Sequence, residues 1–244
     1  MKENLTVSDS KTLFHDQFPF VIPGLYKRIV DEMLVELNLL NHQSEFTLDC
    51  YFCVGLKEIF NELTEGYEPH EHLPNLFSAL CKSTKFKDEE IIEISNTTIN
   101  EHKNKSLEEI FNLVIKKSSK KPYYSRILML GIYKILSKAN DFKDNEDITK
   151  IKIISELTEK LELPLTRAEK DISIYKTSIK RLSQARELLK ETVLADRKKR
   201  EEKNKKNWLF INSSFIFPRN KSYIYYCNSD KDKQWKRTYN KKSI

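Results

Sequence analysis

The chain has 244 residues, 39% hydrophobic and 32% charged, with a formal net charge of +7; that length supports one large helical domain or two small ones, each with a core. Its four glycines, Gly24, Gly55, Gly66 and Gly131, leave little room for the tight turns of an all-β fold or for phosphate-cradling loops. No stretch approaches about 18 uninterrupted apolar residues, so no membrane span is expected, and the opening MKENLTVSDSK lacks the apolar core of a secretory signal, so the protein is expected to stay where it is made.

The elements read in chain order as helices. Ser8 or Asp9 can cap a short first helix that ends before Pro19, and Pro23 suits the start of a second, where its missing N–H costs nothing. Behind it Leu25, Ile29, Met33, Leu37 and Leu40 recur at helical spacing, with Tyr26, Val30 and Leu34 widening the apolar face. Arg28, Asp31, Glu32 and Glu36 interrupt that face, Arg28 and Glu32 being i,i+4 neighbours. Thr47 or Asp49 opens a third helix (Phe52, Leu56, Ile59, Phe60, Leu63), and Gly66 reads as its left-handed terminator.

Further helices are expected from Glu68 to Lys82, from Asp88 to about Lys103, and from Ser106 to Lys117, where Ser106 and Glu109 form a capping box. Tyr124 to Ala139 is apolar nearly all round and belongs in the middle of a bundle. Ile148–Leu161 follows, then a break at Leu163-Pro164-Leu165. Thr166 with Glu169 is a second expected capping box, and a pattern without Gly or Pro runs on to about Lys206. Ile172, Tyr175, Ile179, Leu182, Leu189 and Val193 mark a seam with coiled-coil spacing; past Leu194 the pattern predicts a charged rod projecting into solvent. The expected fold class is all-α, a multi-helix bundle with a long charged C-terminal helix projecting from it.

Charge is distributed unevenly. Residues 197–206 carry seven Lys/Arg and two Glu, and residues 207–244 eight Lys/Arg and two Asp, which leaves a mildly acidic −4 on residues 1–196. The chain therefore divides into an all-helical body (1–196), the basic end of the long helix (197–206) and a basic tail (207–244) expected to be poorly ordered. Nine aromatics in that tail, Trp208, Phe210, Phe215, Phe217, Tyr223, Tyr225, Tyr226, Trp235 and Tyr239, sit among lysines and asparagines. Such a mixture suits single-stranded nucleic acid or a membrane interface, and equally an extension with no selected role.

Candidate chemistry is sparse. Cys50 and Cys53 form a C-x-x-C pair with neither a βαβ context nor a second ligand pair, so both read as small apolar residues on a helix face. His70 and His72 have the wrong spacing for one ion on a helix, which wants i,i+4. No nucleophile elbow, P-loop or dinucleotide fingerprint occurs. The carboxylates lie on lysine-rich faces, where solvated ion pairs are the default.

Three stretches together resemble a known family. TVSDSKTLFH precedes LYKRIVDEMLVELNLLN; FNELTEGYEP precedes LFSALC; and YYSRILMLGIY is joined by LELPLTRAEKDISIYKTSIKRLSQA and LADRKKRE. In this order they resemble the thylakoid formation protein family, also called the photosystem II biogenesis protein, over roughly residues 5–205, with a divergent middle around 84–121. The resemblance implies an all-helical, non-enzymatic protein without a cofactor, peripheral at the cytoplasmic face of thylakoids and partly soluble in the cytoplasm. It implies support of photosystem II assembly or repair, with FtsH-type membrane proteases or photosystem II subunits as partners; for membrane attachment two routes stay open, contact of the basic rod with anionic thylakoid lipid or docking through a partner protein. The family pattern has a proline and small or aromatic residues where this chain has Cys50 to Cys53, so the C-x-x-C is its own. The absence of a transit peptide before the matched region suits a cyanobacterial form.

From the matched motifs, the residues expected to bind a partner or to fix helix register are Tyr26, Arg28, Asp31, Glu32, Glu36, Glu65, Tyr67, Tyr124, Arg126, Glu169, Lys170, Asp171 and Tyr175. The alternative function, nucleic-acid binding through the basic C-terminal tail, ranks below the family reading.

Overall fold

In a computed structural model of the chain, residues 5–118, 122–139, 141–142 and 147–214 are described. Among them are α1 (Val7–Gln17), α2 (Gly24–Asn41), α3 (Cys50–Leu63), α4 (Leu73–Ser83), α5 (Asp88–His102), α6 (Leu107–Lys117), α7 (Arg126–Leu136), α8 (Asp147–Lys160) and α9 (Leu165–Ser214), with a 3-10 turn at His70–His72 before α4. The described residues contain no strand, so the protein is all-α as the apolar periodicity requires.

Local chemistry explains most of the boundaries. Thr6, rather than Ser8 or Asp9, caps α1: its hydroxyl accepts from the Asp9 amide while the Asp9 carboxylate accepts from the Thr6 amide at 2.9 Å, a reciprocal capping box. Asp49 caps α3 through the Tyr51 amide at 2.7 Å, and Ser106 with Glu109 forms the expected box on α6. Thr166 lies within the first turn of α9 instead of capping it, because the helix already starts at Leu165. The expected helix from Glu68 begins later, after Pro69, with the 3-10 turn preceding α4.

The core is organised around α3 and α7. Eight of the eleven residues of α7 are buried, from Ile127 through Leu136, which places it where an all-round apolar helix must go. The two helices cross at Gly55 and Gly131. A Cβ at Gly131 would stand 1.9 Å from the Tyr51 carbonyl oxygen, and one at Gly55 would stand 2.0 Å from that of Ile127. Only glycine permits so close a backbone approach. Around this crossing, α5 joins α3 through the Tyr51 hydroxyl and the His102 ring, and α1 joins α2 through Asn38, whose amide donates to Ser10 Oγ at 2.7 Å and to the Leu5 carbonyl at 3.1 Å. Phe46, Phe52, Phe86 and Tyr123 form an aromatic cluster at one end of α3.

Cys53 and Cys81 are buried and Cys50 is half-buried. Burial pushes the Cys50 thiol up to about 11 and those of Cys53 and Cys81 up to about 12. All three stay protonated at neutral pH, and Cys53 packs in the core as a small hydrophobe.

The chain divides into two units, residues 1–192 and 193–244. In the first, the seam of α9 is buried at Ile172, Tyr175 and Leu182. From Glu187 to Trp208 every side chain is exposed, Leu189 and Val193 of the expected seam included, so the apolar periodicity there is not matched by burial and the seam is buried only as far as Leu182. The helix continues to Ser214, eight residues past the expected stop at Lys206. Asn207 to Ser214 hold neither Gly nor Pro, so nothing in them terminates it. The remainder of the expected tail, residues 215–244, lies outside the described residues.

Candidate docking site

Three polar junctions tie α9 to the helices beneath it. At the first, the Tyr124 hydroxyl donates to Asp171 Oδ2 at 2.6 Å, and the Arg167 guanidinium lies 5.2 Å from the centre of the Tyr124 ring, a cation–π distance. Beside them Arg126 pairs with Glu36 of α2. Burial pushes the Glu36 carboxyl above the usual carboxylate range, against the pull of Arg126. Burial also opposes the charge on Arg126, but Glu36 outweighs it, with Asp171 and Glu32 adding to the pull, and the guanidinium pKa rises. Burial, then the bond to Asp171, pushes the Tyr124 phenol upward, so it remains a donor.

At the second junction Glu62 of α3 accepts from the Tyr175 hydroxyl and from Lys134 of α7, and Lys134 stands 5.0 Å from the centre of the Tyr175 ring. At the third, the Glu65 carbonyl accepts from the Tyr26 hydroxyl at 3.0 Å and from Arg186, whose second nitrogen reaches the Glu65 carboxylate at 2.8 Å. Gly66, at φ 77°, lets the chain turn beneath Arg186; a Cβ there would meet Arg186 Cδ at 3.1 Å.

Between the tethers runs a cleft of about 410 Å³, floored by Ile29, Met33, Leu63, Leu130 and Ile174 and rimmed by Arg28, Glu32, Glu36, Arg126 and Arg181. A second, open groove of about 870 Å³ lies along the other side of α2, lined by Asp31, Val35, Leu39 and Tyr123 among others. Arg28 and Glu32 belong to both. They pair with each other at 2.8 Å while their side chains stay 88% and 53% exposed, so the pair presents its charges to solvent and adds little to stability.

The thirteen sequence-predicted residues thus separate into groups. Glu36, Tyr124, Arg126 and Asp171 meet at one junction, Tyr26 and Glu65 at another, and Tyr175 at the third. Tyr67 is fully buried and its hydroxyl has no partner among the described residues. Arg28, Asp31 and Glu32 line the open face, and Glu169 and Lys170 are exposed with no side-chain partner among the described residues. Four residues that hold the junctions were not predicted: Glu62, Lys134, Arg167 and Arg186. Arg186 alone carried a signal, as the one charged residue in register with the seam between Leu182 and Leu189. Among the described residues no group of three or more His, Cys, Asp or Glu side chains is placed to hold a metal ion.

Fold and junctions together define a class: an all-helical scaffold whose charged side chains either tether helices or face solvent around an open cleft. The comparison with known proteins makes the class particular. The chain belongs to the thylakoid formation protein family, whose model matches residues 6–204. It is 60% identical over 200 residues to protein Thf1 of Prochlorococcus marinus subsp. pastoris strain MED4, spanning 82% of this chain and 99% of that one. It is 58% identical over 199 residues to Thf1 of Prochlorococcus marinus strain MIT 9312, with 82% and 99% covered. A solved structure of Psb29 is similar with a TM-score of 0.71 at 26% identity, covering 80% of this chain and 98% of that chain. Among the described residues no helix is long and apolar enough to cross a membrane.

Proposed function

We propose that the protein is a non-enzymatic adaptor, peripheral at the cytoplasmic face of thylakoid membranes, that supports photosystem II assembly or repair through FtsH-type membrane proteases. Family membership and the likeness to Psb29 support the thylakoid setting. The observation that carries the adaptor reading is the α2 face, where Arg28 and Glu32 hold charge in solvent over an apolar cleft. Apolar floor and charged rim together are the anatomy of a protein-docking surface.

Affinity isolation from gently solubilised membranes of the protein's own cells tests this. FtsH-type protease or photosystem II subunits are expected to co-purify. Exchanging the pair, Arg28→Glu with Glu32→Arg, keeps the ion pair within the helix but inverts the charges offered to a partner. Recovery is expected to fall about tenfold, with the melting temperature unchanged because both side chains are exposed. Full recovery with the exchanged pair would remove α2 as the docking face, and a preparation holding neither partner would sink the adaptor reading.

A further inference from the structure

Unit 193–244 carries an apolar block just past the end of the family match. Its described side chains, Val193 to Trp208, are all exposed, and the basic stretch Arg197–Lys206 has a net charge of +5. Directly after Lys205-Lys206 come Trp208, Leu209, Phe210 and Ile211, still in α9, and Trp208 is 65% exposed. In sequence the apolar character resumes at Phe215-Ile216-Phe217 and stops at Pro218-Arg219, with Lys221 just beyond. The family match ends at residue 204, so the apolar run lies past it.

We propose that the helical stretch 197–214 is a docking segment for an anionic lipid bilayer surface. The order of residues carries the inference. The apolar block Trp208–Ile211 is far shorter than the roughly 20 residues a span requires and suits an interfacial segment. The lysines and arginines of 197–206 can reach lipid phosphates while their stems lie along the acyl boundary. Trp208, at the border between charged and apolar blocks, falls where indole rings gather at a membrane interface. Trp208 itself stands in water, where a large apolar ring gains by moving into an apolar phase.

Two other occupants fit less well. A single-stranded nucleic acid needs basic and aromatic residues interleaved, so that the backbone is tracked while bases stack. Here the blocks are segregated, and Leu209 and Ile211 offer no stacking face. A second copy of this helix would set +5 beside +5, which repels. The proposal does not depend on the adaptor reading.

The full chain with Trp235→Phe keeps Trp208 as its one tryptophan. It is mixed with vesicles of neutral phosphatidylcholine or with vesicles containing about one-third phosphatidylglycerol, at the ionic strengths over which surface charge is screened. Co-flotation with the anionic vesicles and a blue shift of Trp208 emission are expected, both lost at high salt. Lys205→Gln with Lys206→Gln should weaken partitioning on the order of tenfold, and Trp208→Ser with Phe210→Ser should abolish it while the melting curve of the body stays unchanged. Absence of flotation at low salt, equal binding to neutral vesicles, or flotation without an emission shift would each overturn the proposal. So would retention by a single-stranded oligonucleotide in place of vesicles.

Discussion

His102 shows how a single buried side chain sets a pH limit on the protein. Its Nδ1 lies 2.7 Å from the Thr98 carbonyl, so it must carry the proton and donate, which leaves Nε2 to accept from the Tyr51 hydroxyl at 3.2 Å. Burial, ahead of nearby Lys117 and Lys105, pushes the imidazole below its ordinary 6.5. The unfolded chain therefore takes up a proton near pH 6.5 that the folded protein refuses. Stability should be constant above that pH and fall as pH drops through it, and His102→Gln should flatten this slope in melting curves between pH 7.5 and 5. An unaltered slope would place the titrating group elsewhere. Tyr67 illustrates the opposite relation, since its buried hydroxyl has no partner among the described residues. Tyr67→Phe should be neutral or stabilise by about 1 kcal/mol in denaturant titrations; a loss of stability would show that the hydroxyl is paired after all. Its place in a recognisable motif made Tyr67 a binding candidate, and its burial makes it a core residue.

The α3–α7 crossing is the element on which the bundle depends. Gly131→Ala sets a methyl 1.9 Å from a backbone carbonyl oxygen and 2.7 Å from the Gly55 amide nitrogen, so the helices must separate. The expected cost is about 3 kcal/mol, at the upper end of overpacking, measurable by chemical denaturation; a cost below about 1 kcal/mol would mean the crossing yields. Both glycines were visible in sequence as interruptions of apolar helical patterns, where glycine costs about 1 kcal/mol against alanine. The pattern does not say which glycine faces which helix. The helix stops were legible to within a residue or two, before Pro19, near Gly66, Lys82 and Lys117 and ahead of Pro164, but not always the residue that makes the turn. Gly66 ends the α3 turn as expected, but α4 and α8 end through left-handed Lys85 and Glu162, with the following amides closing onto Cys81 at 2.9 Å and Thr158 at 2.8 Å. A lysine or glutamate at such a position carries no sequence signal, because neither prefers it.

At the scale of the molecule, the proposed docking face and the proposed lipid segment fall on different stretches of the chain. Truncation after Lys206 leaves the α2 face and all three junctions in place, so recovery of protein partners in affinity isolation should persist within about twofold. Loss of those partners on truncation would move the docking surface into the C-terminal unit. The sequence by itself determined the all-helical class, the order of the helices, the central place of α7 and the family, because apolar periodicity, caps and motif order are local properties of the chain. It also placed Glu36, Tyr124, Arg126 and Asp171 among the candidates, as charged or phenolic groups within matched motifs. Only the tertiary structure decided that these four meet, that Glu62, Lys134 and Arg186 complete the tethers, and that Arg28 and Glu32 stay in solvent. Pairing across 90 positions, as between Glu36 and Arg126, depends on how helices cross. The crossing is set by two glycine contacts, which no periodicity encodes.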